Sequence, residues 1–198
     1  MPFEAPRIQV LRARCLERAG NWLDRQLVDA ASFKASEGLP ERIRIARRTR
    51  DRLLAYPFAL DELELLVGRP HRAGPVPVSP GAGSAAGDVE QAKAYLATLP
   101  FSSTPGQTGH CELDRSLALE RGLDGIEEQL ASRKAAEADP EKRETLETFL
   151  VALDGLRGFF LNASRAVAAE KAGAAPGRLA ELEEMARCCA ELAHGPPA

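Results

Sequence analysis

The sequence predicts a mainly α protein, an antiparallel helical bundle carrying one or two short strands. Three observations predict it. Ala, Leu, Glu and Arg dominate, all strong helix formers, while β-branched residues are scarce and only 5% of residues are aromatic. Apolar residues recur at spacings of three and four through the second half of the chain. Short Gly- or Pro-marked turns separate these stretches, so consecutive helices should lie antiparallel. With 198 residues, 44% hydrophobic and 28% charged, the chain reads as a single domain over 1–198 able to bury a core.

Ile8, Leu11 and Cys15 stand at helical spacing until Gly20 interrupts. Asn21 is placed to cap a second helix whose apolar face carries Trp22, Leu23, Leu27, Ala30 and Ala31. Gly38-Leu39-Pro40 separates it from a third, with Pro40 in the first turn and Ile43, Ala46, Leu53 and Leu54 on the inner side. Pro57 ends that helix by pushing Tyr56 out of helical geometry. Leu63-Glu64-Leu65-Leu66-Val67, stopped by Gly68, is the strand candidate. Residues 69–87, rich in Pro, Gly and Ala, read as an internal linker, and a short helix follows from Asp88 to about Leu99.

Leu113, Leu117, Leu123, Ile126 and Leu130 belong to the next helix. Gly122 and Gly125 each cost it roughly 1 kcal/mol relative to Ala, a cost tolerated where another element packs against the backbone. Asp139 caps the following helix with Pro140 at its first position. Leu146, Phe149, Leu150, Leu153, Leu156, Phe160 and Val167 line one side of it. Gly173 stops this helix, and Pro176 opens a last one with Leu179, Leu182, Met185, Cys189 and Leu192 inward, before Gly195-Pro196-Pro197.

The formal charge of −3 gives no global attraction to nucleic acid or anionic membrane. The N-terminus has no apolar run suited to export, and no stretch approaches the roughly 20 apolar residues of a membrane helix. Cys15, Cys111, Cys188 and Cys189 show no C-x-x-C spacing and read as reduced thiols of a cytoplasmic protein. Asn162-Ala163-Ser164 fits a glycosylation pattern, but it falls within a helix and is set aside.

Candidate chemistry is thin. Gly81-Ala82-Gly83-Ser84-Ala85-Ala86-Gly87 resembles a phosphate-binding loop, but Pro75, Pro77 and Pro80 deny it the preceding strand such a loop needs. Arg42, Arg44, Arg47, Arg48, Arg50 and Arg52 crowd one helix. They suit either phosphate contacts or a solvated or interface face with stems lying over the core, and the missing aromatic partners favour the latter. His71, His110, His194 and the cysteines lack paired metal-ligand spacing, so no metal is expected. No Ser-His-Asp or Cys-His set is supported, so no catalytic residue is assigned.

Two stretches carry a family resemblance. One runs from Ser36-Glu37-Gly38-Leu39-Pro40 through Leu54, Tyr56-Pro57 and Glu64-Leu65-Leu66-Val67-Gly68. The other starts at Gly109-His110, passes Leu119 and Gly122-Leu123-Asp124-Gly125-Ile126, and continues through Lys142-Arg143 to Cys189 and Gly195-Pro196-Pro197. In order, they resemble the N-terminal region of glycyl radical enzymes of the pyruvate formate-lyase family. The resemblance spans about Ile8 to Pro197 and implies outer helices and first strands of an α/β barrel. It departs in the acidic pair that normally precedes Glu-Leu, replaced here by Glu62-Leu63, and in a short segment between Pro80 and Gly109.

Neither the family's thiyl-forming cysteine nor its Arg-Val-x-Gly-Tyr radical loop is present, and Cys189 matches a position upstream of that cysteine. The resemblance therefore implies a non-catalytic domain, stand-alone or split from a glycyl radical enzyme of formate acetyltransferase or dehydratase type, with no cofactor of its own. A polypeptide bearing the missing parts, or self-association, would complete it; nucleic acid and membrane are not expected partners. His110 is carried over as a substrate-binding residue, because a His after Gly at this point hydrogen-bonds a substrate hydroxyl in relatives acting on hydroxylated substrates. The alternative is a re-adapted helical scaffold, outside radical chemistry, that binds another protein or a metabolite.

Overall fold

The computed structural model describes residues 6–17, 25–68, 86–100 and 115–196. Among them are seven helices: α1 (Pro6–Glu17), α2 (Arg25–Ala35), α3 (Glu41–Leu54), α4 (Ala86–Ala97), α5 (Ser116–Ala136), α6 (Pro140–Ala169) and α7 (Pro176–Leu192). No helix among these residues is long and apolar enough to cross a membrane. Asn21, Trp22, Leu23, Leu113 and residues 69–85, which include most of the expected linker and its glycine-rich loop, lie outside the described residues.

The long helix α6 is the spine. Its first turn is held as expected, with Asp139 accepting the Glu141 N–H at 2.9 Å and Pro140 at the first position. The pairs Lys134–Glu147 and Asp124–Arg157 put α5 antiparallel to α6. Ser164 donates to the Ala186 carbonyl and Arg157 to the Ala193 carbonyl, which makes α7 antiparallel to α6 as well. Helix α3 runs parallel to α6 instead: Arg42 meets Glu141, Gly155 faces the Arg50 backbone, and Asn162 donates to the Leu54 carbonyl. Helix α2 lies antiparallel on α3 through Asp29–Arg52, and α4 packs on α2.

The core is in two parts. Val167, Leu182, Met185 and Ala186 bury one another, with Leu60, Val67 and Ala174 packed around them. Phe33 is fully buried on α2. Tyr56, Phe58, Phe159 and Phe160 form a chain of tilted and edge-on rings with centroids 4.8–5.7 Å apart.

The structure corrects several expectations. No strand forms at 63–67, and no strand longer than a single residue exists among the described residues. Asp61 is the reason. Its carboxylate accepts the Leu63 N–H at 3.1 Å, its carbonyl accepts the Glu64 N–H, and its own N–H donates to the Glu64 carboxylate at 2.7 Å. The local turn takes up the groups a sheet ladder would need. Leu65 and Leu66 are left 52% and 85% exposed. Pro40 caps α3 from outside rather than occupying its first turn, with ψ 144°. Gly122, at φ 63° and ψ −172°, kinks α5, so Leu117 and Leu123 no longer share a face and Leu117 is exposed. Leu54 and Phe149, expected inside, are exposed; Leu54 reaches α6 with the end of its side chain, at Gly158.

Candidate functional site

The two halves of the second sequence motif meet in space. The kink at Gly122 brings the backbone of α5 onto Gly195, and Asp124 N–H donates to the His194 carbonyl at 2.9 Å. Around this crossing, Arg157 of α6 donates to Asp124 at 2.5 Å, to the Ala193 carbonyl at 2.8 Å and to Glu127. The His194 Nδ1 lies 3.1 Å from Arg157 Nη1 and 3.3 Å from Asp124. Arg157 therefore ties both α5 carboxylates to the end of α7. The Arg157 hydrogen bond, then its charge, holds the Asp124 carboxyl below its ordinary range.

This cluster is a clamp rather than a metal centre. A guanidinium sits in the middle of the possible ligands, where its charge would repel a cation. No group of three potential ligands suited to a metal exists among the described residues. The thiols of Cys188 and Cys189, near the end of α7, are both shifted toward the protonated form. Burial, then Glu184, raises the Cys188 thiol, and burial, then Cys188, raises Cys189.

A cavity of about 490 Å³ opens between residues 60–63 and the α6–α7 turn at 170–175, with Arg178 and Leu182 in its wall. Arg178 donates to Glu181 at 2.8 Å and to the Asp61 carbonyl at 3.1 Å. Arg7 of α1 grips the same Glu181 with two nitrogens, at 2.7 and 2.9 Å, and donates to the Leu63 carbonyl at 2.7 Å. Hydrogen bonds from Arg7 and then Arg178 hold the Glu181 carboxyl at about 2. Its proton affinity is too low for a general base near neutrality. Arg178 and Glu181 are three residues apart on α7, but Arg7 joins them from the other end of the sequence, and no local pattern announces that contact.

The arginine-rich helix mainly supplies internal contacts. Arg42 pairs with Glu141 and Arg52 with Asp29, Arg50 bonds the neighbouring Asp51, and Arg44 donates to the Phe33 carbonyl. His71, His110 and Cys111 lie outside the described residues, so the expected substrate-binding His110 is not placed.

A family profile described as pyruvate formate lyase-like matches residues 84–198. No curated protein matches the sequence. Among solved structures, the glycerol-bound form of the B12-independent glycerol dehydratase from Clostridium butyricum superposes with a TM-score of 0.77 at 17% identity, over 97% of this chain and 31% of its own. A Roseburia inulinivorans structure described for 1,2-propanediol dehydration gives a TM-score of 0.69 at 20% identity, over 87% of this chain and 28% of its own. The chain thus spans less than a third of either structure's length and shares the fold of that portion.

Proposed function

Because the chain belongs to the pyruvate formate lyase-like family, we propose that it is a non-catalytic helical module of a dehydratase-type glycyl radical assembly. The catalytic cysteine and radical glycine then come from polypeptide outside these 198 residues, whether joined to them or separate. One observation carries this reading: 97% of the chain superposes on only 31% of the glycerol dehydratase. The run from Leu63 to Val67 supports it. Within it Leu65 and Leu66 stand exposed, an apolar surface that a neighbouring element of the assembly would cover.

In this role the Arg157 clamp and the Gly122–Gly195 crossing fix the relative positions of α5, α6 and α7, presenting one rigid surface to the rest of the assembly. His110 is the module's own contact with substrate. Its imidazole can donate from one nitrogen to a hydroxyl oxygen and accept from another group at the other.

The test is affinity capture of the tagged chain from anaerobically grown source cells, followed by mass spectrometry and size-exclusion chromatography of the purified components. A stable complex with a polypeptide bearing the Arg-Val-x-Gly-Tyr loop and the cysteine is expected, with dehydratase activity falling on His110→Ala. A stable monomer that ignores such a polypeptide overturns the proposal and leaves a re-adapted scaffold.

A further inference from the structure

On the arginine face of α3, Arg48 is buried without an ion pair among the described residues. Arg48 is 9% exposed, and no hydrogen-bond acceptor among the described residues meets its guanidinium. Its Nε is sealed from solvent without a partner, whereas Nη1 and Nη2 are not among the sealed atoms. The carboxylate that reaches it electrostatically, Asp29, is gripped by both Nε and Nη2 of Arg52. Arg25 and Arg52 add positive charge beside it, and Arg44 lies over the other available feature, the Phe33 ring. The Arg48 guanidinium is itself 5.5 Å from that ring's centroid. The ring face offsets part of the cost of burying the charge, but it cannot accept the directed N–H bonds of a guanidinium fork. Burial and then Arg52 push the Arg48 pKa below its ordinary value, as expected for a cation short of an anion.

We propose that the junction of α2 and α3 at Arg48 binds a small oxyanion, a phosphate or carboxylate group, through the terminal nitrogens of that guanidinium. Guanidinium geometry matches two oxygens of either group. A single guanidinium fork calls for a single oxyanion group: a free anion, or a carboxylate at the tip of a side chain. An extended phosphate backbone does not fit the arrangement, because Arg42, Arg50 and Arg52 are already engaged within the chain. The site lies on α2 and α3, apart from the clamp at Arg157, and does not depend on the function proposed above.

The test is calorimetric titration and thermal unfolding of the 198-residue chain at fixed ionic strength. Sodium phosphate and sodium acetate are the probes and chloride is the reference. A saturable rise in Tm with one of the two probes, beyond chloride, is expected. Phosphate acting alone assigns a free phosphate-type ligand, and acetate acting alone assigns a carboxylate. Arg48→Met should abolish the response without lowering the unliganded Tm, since it keeps the stem and removes an unpaired charge. Arg48→Lys, which keeps the charge but loses the fork, should weaken binding by about tenfold. No saturable response beyond chloride, or an unchanged response in Arg48→Met, overturns the proposal. If Arg48→Met does not fold, undiminished affinity in Arg48→Lys overturns it.

Discussion

Gly122 and Gly195 meet backbone to backbone: a Cβ added at Gly122 would overlap the Gly195 carbonyl carbon and lie 2.5 Å from the Pro196 nitrogen. Its φ of 63° with ψ −172° is a conformation essentially confined to glycine. Strain and clash act together, so Gly122→Ala should destabilise the chain by about 3 kcal/mol or more in urea unfolding. A loss below about 1 kcal/mol would mean that the crossing is not formed in solution.

Gly155 and Gly158 lie one turn apart on α6, yet they should respond oppositely. A Cβ on Gly155 would come 2.5 Å from the Arg50 α-carbon, and only separation of α3 from α6 could relieve it. Gly155→Ala should cost about 1–3 kcal/mol. At Gly158 the obstacle is the Leu54 methyl, the end of an exposed side chain that can rotate away. Gly158→Ala should be neutral or gain up to about 1 kcal/mol from helix propensity. Equal losses at both sites would contradict the parallel α3–α6 packing.

Arg7 holds α1 to the rest of the chain through Glu181 and the Leu63 carbonyl. Because the Glu181 pKa is depressed from 4.5 to about 2 in the folded state, its contribution is complete above its unfolded value and is lost as pH falls through the folded one. An NMR titration of Arg7→Met should find the Glu181 pKa raised but still below 4.5, since Arg178 remains. Hydrogen exchange in α1 should quicken in the same variant. An unchanged Glu181 titration would show that the ion pair does not persist in solution.

Leu66 and Leu182 separate surface from core. Leu182 is 1% exposed, and Leu182→Ala should cost about 3 kcal/mol, near the middle of the range for buried leucines. Leu66 is 85% exposed, so Leu66→Lys should change the stability of the chain alone by less than about 0.5 kcal/mol. The same substitution should prevent capture of the radical-bearing polypeptide if that surface is covered in the assembly. Undisturbed capture would remove Leu66 from the interface.

Much of the helical layout was legible because helix formation depends on neighbours three and four residues away. Asp139 and Pro140 announce the start of α6 and Pro176 opens α7, whereas Gly173, expected to stop α6, lies at φ 85° in the turn four residues past its end. The tight approach expected at Gly122 and Gly125 holds at Gly122, against Gly195, but a Cβ at Gly125 would meet only the Arg121 side chain of its own helix. The strand expected at Leu63–Val67 was misread because β structure needs a partner, and the side chain of Asp61 offered the backbone a closer one. Leu117 and Phe149 were misplaced because periodicity identifies an apolar face without saying what, if anything, covers it.

The sequence by itself determined the mainly helical class, several helix boundaries and the resemblance to glycyl radical enzymes. These follow from local propensity, capping and the order of short motifs along the chain. Only the tertiary structure decided that α3 runs parallel to α6, that Arg157 joins Asp124 and Glu127 to the end of α7, and that Arg48 is buried without an acceptor among the described residues. Those facts depend on residues brought together across long stretches of chain. Their contacts follow from packing the helices against one another, which no local spacing encodes.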